Sequence, residues 1–479
     1  MNPFITIKEL KEKLARKEIN QKEILDFYTQ RIKKYNSKLN CVIETFTDNL
    51  NNTNSQIGAL SGIPFIAKDN ICQNGRIASA GSKILSNYKA PYDATVISKL
   101  KEAGAIPLGR GNCDEFAMGA SGEYSNYGVT NNPWDITRTP GGSSAGPAAA
   151  VSAGLVPFAI GTETGGSVRQ PASFCNLVGL YPTYGRNSRY GLIAFASSTD
   201  QAGPITRTVY DNALVASILS GQDKHDSTTL QLPAQDYTKD LDGKLPDNFT
   251  LGVIKDSLNP DGIDPQIIDS FTKAISHLEK MGAKIKYIDI PMLKYGVAIY
   301  FIISRAEGAS NLSRYDGTLY GHRAQESTQL HDMYIKTRQE GFGQEVKIRI
   351  LTGNYVLSSG YKDAYYNKAL QARNILRAEF EKAFQEVTLL TSPTVSMLPF
   401  KLGQFVGDAL TMFLADCFTV PQCVIGTPGL SLPCGLSRER LPIGIQFLGP
   451  RLSEMLIYKV AYAYEQSTGH YLNNPAGYD

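Results

Sequence analysis

No apolar run in this 479-residue chain approaches the roughly 20 residues that a membrane-spanning helix needs. The longest candidate, 148–161, is rich in Ala and Gly and is broken by Pro157. The N-terminus, Met1-Asn-Pro-Phe-Ile-Thr-Ile-Lys8, carries neither a charged-then-apolar signal nor an Arg-rich amphipathic presequence. A net charge of +3 provides no electrostatic footprint for nucleic acid or membrane, and any polyanion is left to local contacts or to a partner. The seven cysteines contain no CxxC pair; an odd count in a large chain reads as reduced, mostly buried thiols in a cytoplasmic protein. There is no Walker A sequence and no cluster with zinc-ligand spacing. Only five histidines are present, none near the two Gly-Ser clusters described below.

What is present is the balance of a globular protein with a substantial core, 42% hydrophobic and 19% charged. Two amphipathic helices open the chain, over about residues 6–36. Thr6 with Glu9, and Asn20 with Glu23, have capping-box spacing. An Asn-rich stretch, Asp48–Gln56, reads as a surface loop. From Gly62 on, strand-like and helix-like segments alternate. Gly62–Ala67, Ala105–Leu108, Leu155–Ile160, Lys284–Ile290, Val387–Leu390, Leu430–Pro433 and Ile443–Leu448 read as strands. Helices are expected from an Asp93 cap to Gly104, after Gly141–Gly146, over Asp264–Met281, over Tyr361–Gln385 and over Ser453–Gln466. Such alternation argues α/β with one large mixed β-sheet covered by helices on both faces. The polar stretch 222–248 is the one plausible boundary. Because the alternation resumes unchanged after it, it reads as a crossover between a core of about 60–221 and a second half of 249–479, within one domain spanning 1–479.

Two Gly-Ser clusters carry the chemical signal: Pro140-Gly-Gly-Ser-Ser-Ala-Gly146 and Gly161-Thr-Glu-Thr-Gly-Gly-Ser-Val-Arg169. Glycines beside a serine let the backbone turn sharply and bring N–H groups close to a ligand. The amides of Thr164, Gly165, Gly166 and Ser167 are candidates to converge on one oxygen, as an oxyanion hole requires. A plain turn or a phosphate-cradling loop would explain an isolated Gly-Gly-Ser equally well. Lys68 ends the apolar stretch Ile63-Pro-Phe-Ile-Ala-Lys68. Burial there would lower its pKa from about 10.4, and only the neutral amine accepts a proton. The competing reading is an ordinary pairing of Lys68 with Asp69.

These segments resemble the amidase signature family, whose catalytic set is Ser–cis-Ser–Lys. The lysine closing a G-[IV]-P-x-x-[IV]-K-D-like strand, the P-G-G-S-S motif and the G-G-S-[IV]-R motif fall in the family's order at Lys68, Ser143 and Ser167. The resemblance covers nearly the whole chain. It implies Ser167 as nucleophile, Ser143 and Lys68 as proton relay, a cis 142–143 peptide, and support of the relay by Ser144. Ala145, Pro147 and Glu163 depart from the usual Gly, small residue and Asp, and none removes a catalytic atom.

Further segments, among them 113–119, 182–186 with 190–198, 311–317, 340–346 and 355–366, resemble one branch of that family, the A subunits of tRNA-dependent amidotransferases. That likeness implies a glutaminase whose pocket uses Tyr300, Arg349 and Asp416 and is bordered by Met118. It implies partnership with B and C subunits in a heterotrimer, with tRNA contacted mainly through the B subunit. It also implies no cofactor in this chain, ATP and Mg²⁺ being used by the B subunit. The pocket-bordering segment Ser121-Gly-Glu-Tyr124 departs from the branch's S-T-E-N. A stand-alone amidase acting on another amide, and a non-catalytic assembly subunit, are the rival functions. Gly142-Ser-Ser-Ala-Gly146 also fits the G-x-S-x-G elbow with Ser144 as nucleophile, but the residues before it, 131–140, read as a loop and not as the required strand. Ser86-Asn-Tyr-Lys89 and Ser98-Lys-Leu-Lys101 match S-x-x-K in polar settings without partner motifs.

Overall fold

The computed structural model describes residues 1–48, 58–259, 261–327 and 329–479; most of the Asn-rich stretch expected to form a surface loop lies outside them. Eleven strands form one sheet: β1 (Val42–Thr45), β2 (Pro64–Lys68), β3 (Ile106–Gly111), β4 (Phe158–Glu163), β5 (Val178–Tyr181), β6 (Gln201–Thr206), β7 (Thr250–Ile254), β8 (Lys284–Ile288), β9 (Leu389–Pro393), β10 (Gly429–Leu436) and β11 (Pro442–Leu448). Their spatial order is β1-β3-β2-β4-β6-β5-β10-β11-β9-β7-β8. The sheet is mixed, with parallel pairs β2/β3, β2/β4, β7/β8 and β7/β9 and antiparallel pairs elsewhere. Every strand that precedes the 222–248 stretch lies on one side of the sheet and every strand that follows it on the other. The stretch therefore carries the chain from one half-sheet to the next.

Helices connect the strands: α1 (Ile7–Ala15), α2 (Gln21–Leu39), α3 (Thr95–Glu102), α4 (Ala145–Ser152), α5 (Arg169–Phe174), α6 (Val209–Leu219), α7 (Pro265–Lys280), α8 (Gly296–Asn311), α9 (Leu330–Gly341), α10 (Gln344–Leu357), α11 (Lys368–Glu386), α12 (Ala409–Leu414), α13 (Val420–Ile425) and α14 (Glu454–Thr468). Both capping boxes form. The Thr6 hydroxyl accepts the Glu9 N–H at 3.1 Å while Glu9 accepts the Thr6 N–H at 2.8 Å. Asn20 and Glu23 exchange the equivalent bonds at 3.0 and 2.9 Å. Apolar burial divides along the sheet: one cluster packs α1, α2 and α4 with β2, β4 and β6, and a larger one packs α7, α8, α11 and α14 with β5, β7 and β9–β11. The seam between the clusters falls between β6 and β5, and the segment 164–168 leaves β4 beside it.

Some local expectations differ from what forms. Asp93 does not cap α3: the helix starts at Thr95 after Ala94. The Asp93 carboxylate instead accepts the Asn74 N–H at 2.8 Å and pairs with Lys101 at 2.8 Å. The strand expected from Leu155 begins at Phe158 and runs on through Glu163. The long helix expected from Tyr361 opens with a π-helical turn, Asp363–Asn367, before α11.

Candidate active site

The side chain of Lys68, the last residue of β2, is fully buried, and its Nζ lies 2.7 Å from Ser143 Oγ, 2.9 Å from Thr162 Oγ1 and 3.2 Å from the Thr162 carbonyl oxygen. The carbonyl can only accept, so one N–H points there. Ser143 can donate as well as accept, so a neutral amine satisfies the set with its lone pair on the Ser143 proton. Burial holds the Lys68 pKa down to about 8, against smaller opposing effects of Cys113, Asp114, Asp200 and Glu163. Asp69 does not pair with Lys68; its carboxylate takes Arg110 at 2.7 Å, the Gly81 N–H at 2.8 Å and the Ser79 hydroxyl. The simple ion-pair reading of Lys68 is therefore excluded by geometry.

Ser143 and Ser144 sit on the turn into α4. Gly141 and Gly142, at φ +80° and +60°, make that turn in the left-handed region. Among the described residues no peptide bond is cis, so the cis 142–143 link expected from the family pattern is not formed; the two left-handed glycines turn the chain through trans bonds. A Cβ on Gly142 would meet Pro171 Cδ at 2.4 Å and Ser167 Cα at 3.2 Å, so the two Gly-Ser clusters are in contact. The Ser144 N–H donates to the Ser167 carbonyl at 3.3 Å. Among the described residues no hydrogen bond bridges the Ser143 and Ser167 hydroxyls. Ser144 Oγ donates to the Thr162 carbonyl at 3.1 Å and accepts the Thr162 N–H at 3.3 Å, so it steadies the strand that carries Thr162. Its burial and the loop that precedes it leave the nucleophile-elbow reading without support.

The segment 164–168 is pinned by Glu163. One carboxylate oxygen accepts the N–H groups of Val168 and Arg169, both at 2.9 Å, and the other takes Arg169 Nε at 2.8 Å and Nη2 at 2.6 Å. Both partners of this ion pair are essentially fully buried. Glu163, read from sequence only as a departure, is thus an anchor of the loop holding Ser167. Thr164 Oγ1 donates to Asp200 Oδ1 at 2.6 Å, and burial raises Asp200 to about 6. Thr162, Asp200 and the Glu163–Arg169 pair were not singled out from sequence. Each acts through contacts made by folding, and the only local trace is the charge pair at i and i+6 flanking Gly-Gly-Ser.

Tyr300 on α8 and Asp416 on the turn before α13 both reach the loop that carries Ser167, and Arg349 lies on α10, which packs against α8. A Cβ on Gly165 would lie 2.6 Å from Tyr300 Cζ and 2.9 Å from its hydroxyl; one on Gly166 (φ +110°) would lie 2.4 Å from Thr419 Oγ1 and 2.6 Å from Asp416 Oδ1. The loop's glycines therefore let two substrate-pocket candidates approach its backbone. Asp416 is buried, and burial reinforced by nearby Glu163 raises its pKa well above the carboxylate range. Such a carboxyl site is relieved by an incoming cation. Arg349 is buried on α10, and its Nε donates to Glu345 Oε1 at 2.8 Å. Burial raises the pKa of the Tyr300 phenol, and the Arg349 guanidinium opposes that rise. Met118 is buried against α8, where a Cβ on Gly308 would meet its Cε at 3.1 Å. The segment 121–124 folds over Asp114, which accepts the N–H groups of Ser121, Gly122 and Tyr124 at 3.3, 3.1 and 2.9 Å. All seven cysteines are free thiols. Among the described residues no cluster could hold a metal ion and no helix is long and apolar enough to cross a membrane.

The family model of the amidases matches residues 23–457. The A subunit of the glutamyl-tRNA(Gln) amidotransferase of Alkaliphilus metalliredigens is 46% identical over 482 residues, covering 98% of each chain. That of Trichodesmium erythraeum is 49% identical over 88% of this chain and 87% of its own. The crystal structure of the corresponding A subunit from Thermotoga maritima superposes with a TM-score of 0.82 at 39% identity, covering 96% of this chain and 94% of that one. A buried lysine on a serine, two Gly-Ser turns in contact and a match over most of the sequence all lead to one conclusion: the chain belongs to the amidase family and has its fold.

Proposed function

We propose that this chain is the glutamine-hydrolysing subunit of a tRNA-dependent amidotransferase, with Ser167 as nucleophile and Ser143 and Lys68 as its relay. The observation that carries the relay is the 2.7 Å contact between a fully buried lysine and Ser143, on a turn that touches the Ser167 loop. Neutral Lys68 takes the Ser143 proton as Ser143 takes that of Ser167, whose Oγ attacks the side-chain amide carbon of glutamine. General-base contacts of this kind tighten when substrate is seated, which is when the Ser167 and Ser143 hydroxyls must meet. The amides of Thr164, Gly165, Gly166 and Ser167 receive the oxyanion. The proton then returns through Ser143 to the departing nitrogen, which leaves as NH₃ and yields a γ-glutamyl ester on Ser167. Water, activated by the same relay, hydrolyses that ester to glutamate.

Arg349 holds the α-carboxylate of glutamine through its planar fork, Asp416 accepts the α-ammonium, and Tyr300 and Met118 wall the pocket. A neutral or lipid amide has no use for both charges, which favours the glutaminase over a stand-alone amidase. The released ammonia serves the conversion of misacylated Glu-tRNA(Gln), the substrate named for the curated relatives. In this reading B and C subunits complete a cytoplasmic heterotrimer, and ATP, Mg²⁺ and most of the tRNA contact belong to the B subunit, consistent with a net charge of only +3 here. The residues 1–479 act as one amidase domain. The test is glutamine hydrolysis by the purified chain, alone and with its partner subunits, against Ser167→Ala. Loss of ammonia release in a folded mutant supports the assignment; retention of more than about a tenth of the rate contradicts it, since covalent catalysis is worth far more than one ~1.4 kcal/mol decade.

A further inference from the structure

Two adjacent buried carboxylates, Asp114 and Glu115, have no part in the chemistry above. Asp114 belongs to the relay side: its N–H donates to the Ser143 carbonyl at 3.3 Å. Glu115 bonds across the molecule. Both of its carboxylate oxygens accept the N–H of Gly343, at 2.9 and 3.1 Å, and the Ser82 hydroxyl donates to it at 2.5 Å. Gly343 is the N-cap residue of α10, and α10 has no side-chain cap of its own. A Cβ on Gly343 would sit 2.3 Å from Glu115 Oε2, so carboxylate and cap are in direct contact. A helix whose N-cap residue has no side chain leaves its first N–H groups to outside acceptors, and a negative charge there is favoured by the helix dipole. Glu115 supplies that charge from 228 residues away.

Arg349 lies less than two turns into the same helix, and Glu345, in its first turn, takes the Arg349 Nε. We propose that Glu115 is a positioning residue for glutamine recognition, setting the start of α10 so that the Arg349 guanidinium stands where the substrate carboxylate arrives. This rests on the reading of Arg349 given above. One short segment, Asp114-Glu115, then joins the loop of Ser143 to the helix that reads the substrate. A cavity of about 290 Å³ beside it is lined by Glu115, Glu123, Tyr124, Glu340, Gly343 and Glu345, with Lys83 also at its wall. Burial raises the Glu115 pKa to about 7, opposed by the hydrogen bonds from Ser82 and Gly343 and by the field of Lys347.

The experiment compares wild type with Glu115→Gln, Gly343→Ala and Arg349→Ala, in the assembled enzyme at pH 8, on glutamine and on butyramide. Glu115→Gln keeps shape and one accepting oxygen while removing the charge, so the KM for glutamine rises roughly three- to tenfold with kcat within about twofold. Butyramide, which lacks the α-carboxylate, shows unchanged constants. Gly343→Ala drives the carboxylate off the cap and gives the same split, and it decides the matter if Glu115→Gln does not fold. The double mutant Glu115→Gln/Arg349→Ala has the KM of Arg349→Ala alone, because the first change acts through the second residue. An unchanged KM for glutamine in both Glu115→Gln and Gly343→Ala overturns the proposal, as does an equal loss on butyramide, or full additivity in the double mutant. A wild-type KM in Arg349→Ala instead defeats the underlying reading of Arg349, whatever Glu115→Gln does.

Discussion

Replacing Lys68 separates a proton relay from a mere positive charge. With a pKa of about 8, set by burial, about a tenth of the amine is neutral at pH 7 and about half at pH 8. Glutamine hydrolysis limited by that fraction climbs about fivefold between those values and levels off above pH 9. Lys68→Arg stays charged throughout this range and should be as inactive as Lys68→Ala. The same burial makes a stability prediction. The folded-state pKa of about 8 lies below the unfolded value of 10.5, so the fold binds this proton less tightly than the unfolded chain. The resulting loss of stability is fullest below pH 8 and is recovered as pH rises toward 10.5. At 1.36 kcal/mol per pH unit it is about 3 kcal/mol, and a side chain without the amine also gives up the hydrogen bonds to Ser143 and Thr162, at ~1 kcal/mol each. Lys68→Met should therefore be inactive yet at least as stable as wild type at pH 7 by denaturant unfolding. Substantial activity in Lys68→Arg, or a flat rate profile from pH 6.5 to 9 with chemistry rate-limiting, refutes the relay.

Arg349→Ala and Asp416→Ala should each raise the KM for glutamine by a factor matching the roughly 2–5 kcal/mol typical of a desolvated charged contact, while a small neutral amide turns over as before. Their double mutant should lose less than the sum of the singles if both groups hold one ligand, which steady-state kinetics on both substrates will show. Glu163→Gln puts a donor against either the Arg169 guanidinium or the N–H groups of Val168 and Arg169. Unfolding should register a loss of about 3–5 kcal/mol for the broken buried pair, and kcat should fall because the Ser167 loop loses its anchor.

The sequence was most legible where the physics is local. Thr6/Glu9 and Asn20/Glu23 could be read from spacing because a capping box involves only neighbours in the chain. The apolar stretch ending in Lys68 predicted a buried strand, since a strand covered on both faces has no polar alternation. Legibility ended where partners are distant. Nothing local indicates that β6 stands between β4 and β5, that Thr162 would receive Lys68, or that Glu115 would cap α10. Asp93 misled because a residue with capping chemistry also suits a salt bridge, and Lys101 on the same helix won it. The family pattern implied a cis 142–143 peptide, whereas two left-handed glycines make the turn with trans bonds. Three ordered motifs put Lys68, Ser143 and Ser167 forward together, whereas the Lys68–Ser143 hydrogen bond and the contact between the two Gly-Ser turns arise from folding that no motif encodes.

The covalent intermediate tests the central claim most directly. The assembled enzyme, mixed with saturating glutamine and quenched in acid within one turnover, is digested and mapped by mass spectrometry. A γ-glutamyl group is expected on the peptide carrying Ser167, sensitive to hydroxylamine as an ester and absent from Ser167→Ala. An adduct on Ser144 or on a cysteine such as Cys175, or glutamine turnover by Ser167→Ala at an undiminished rate, would contradict it.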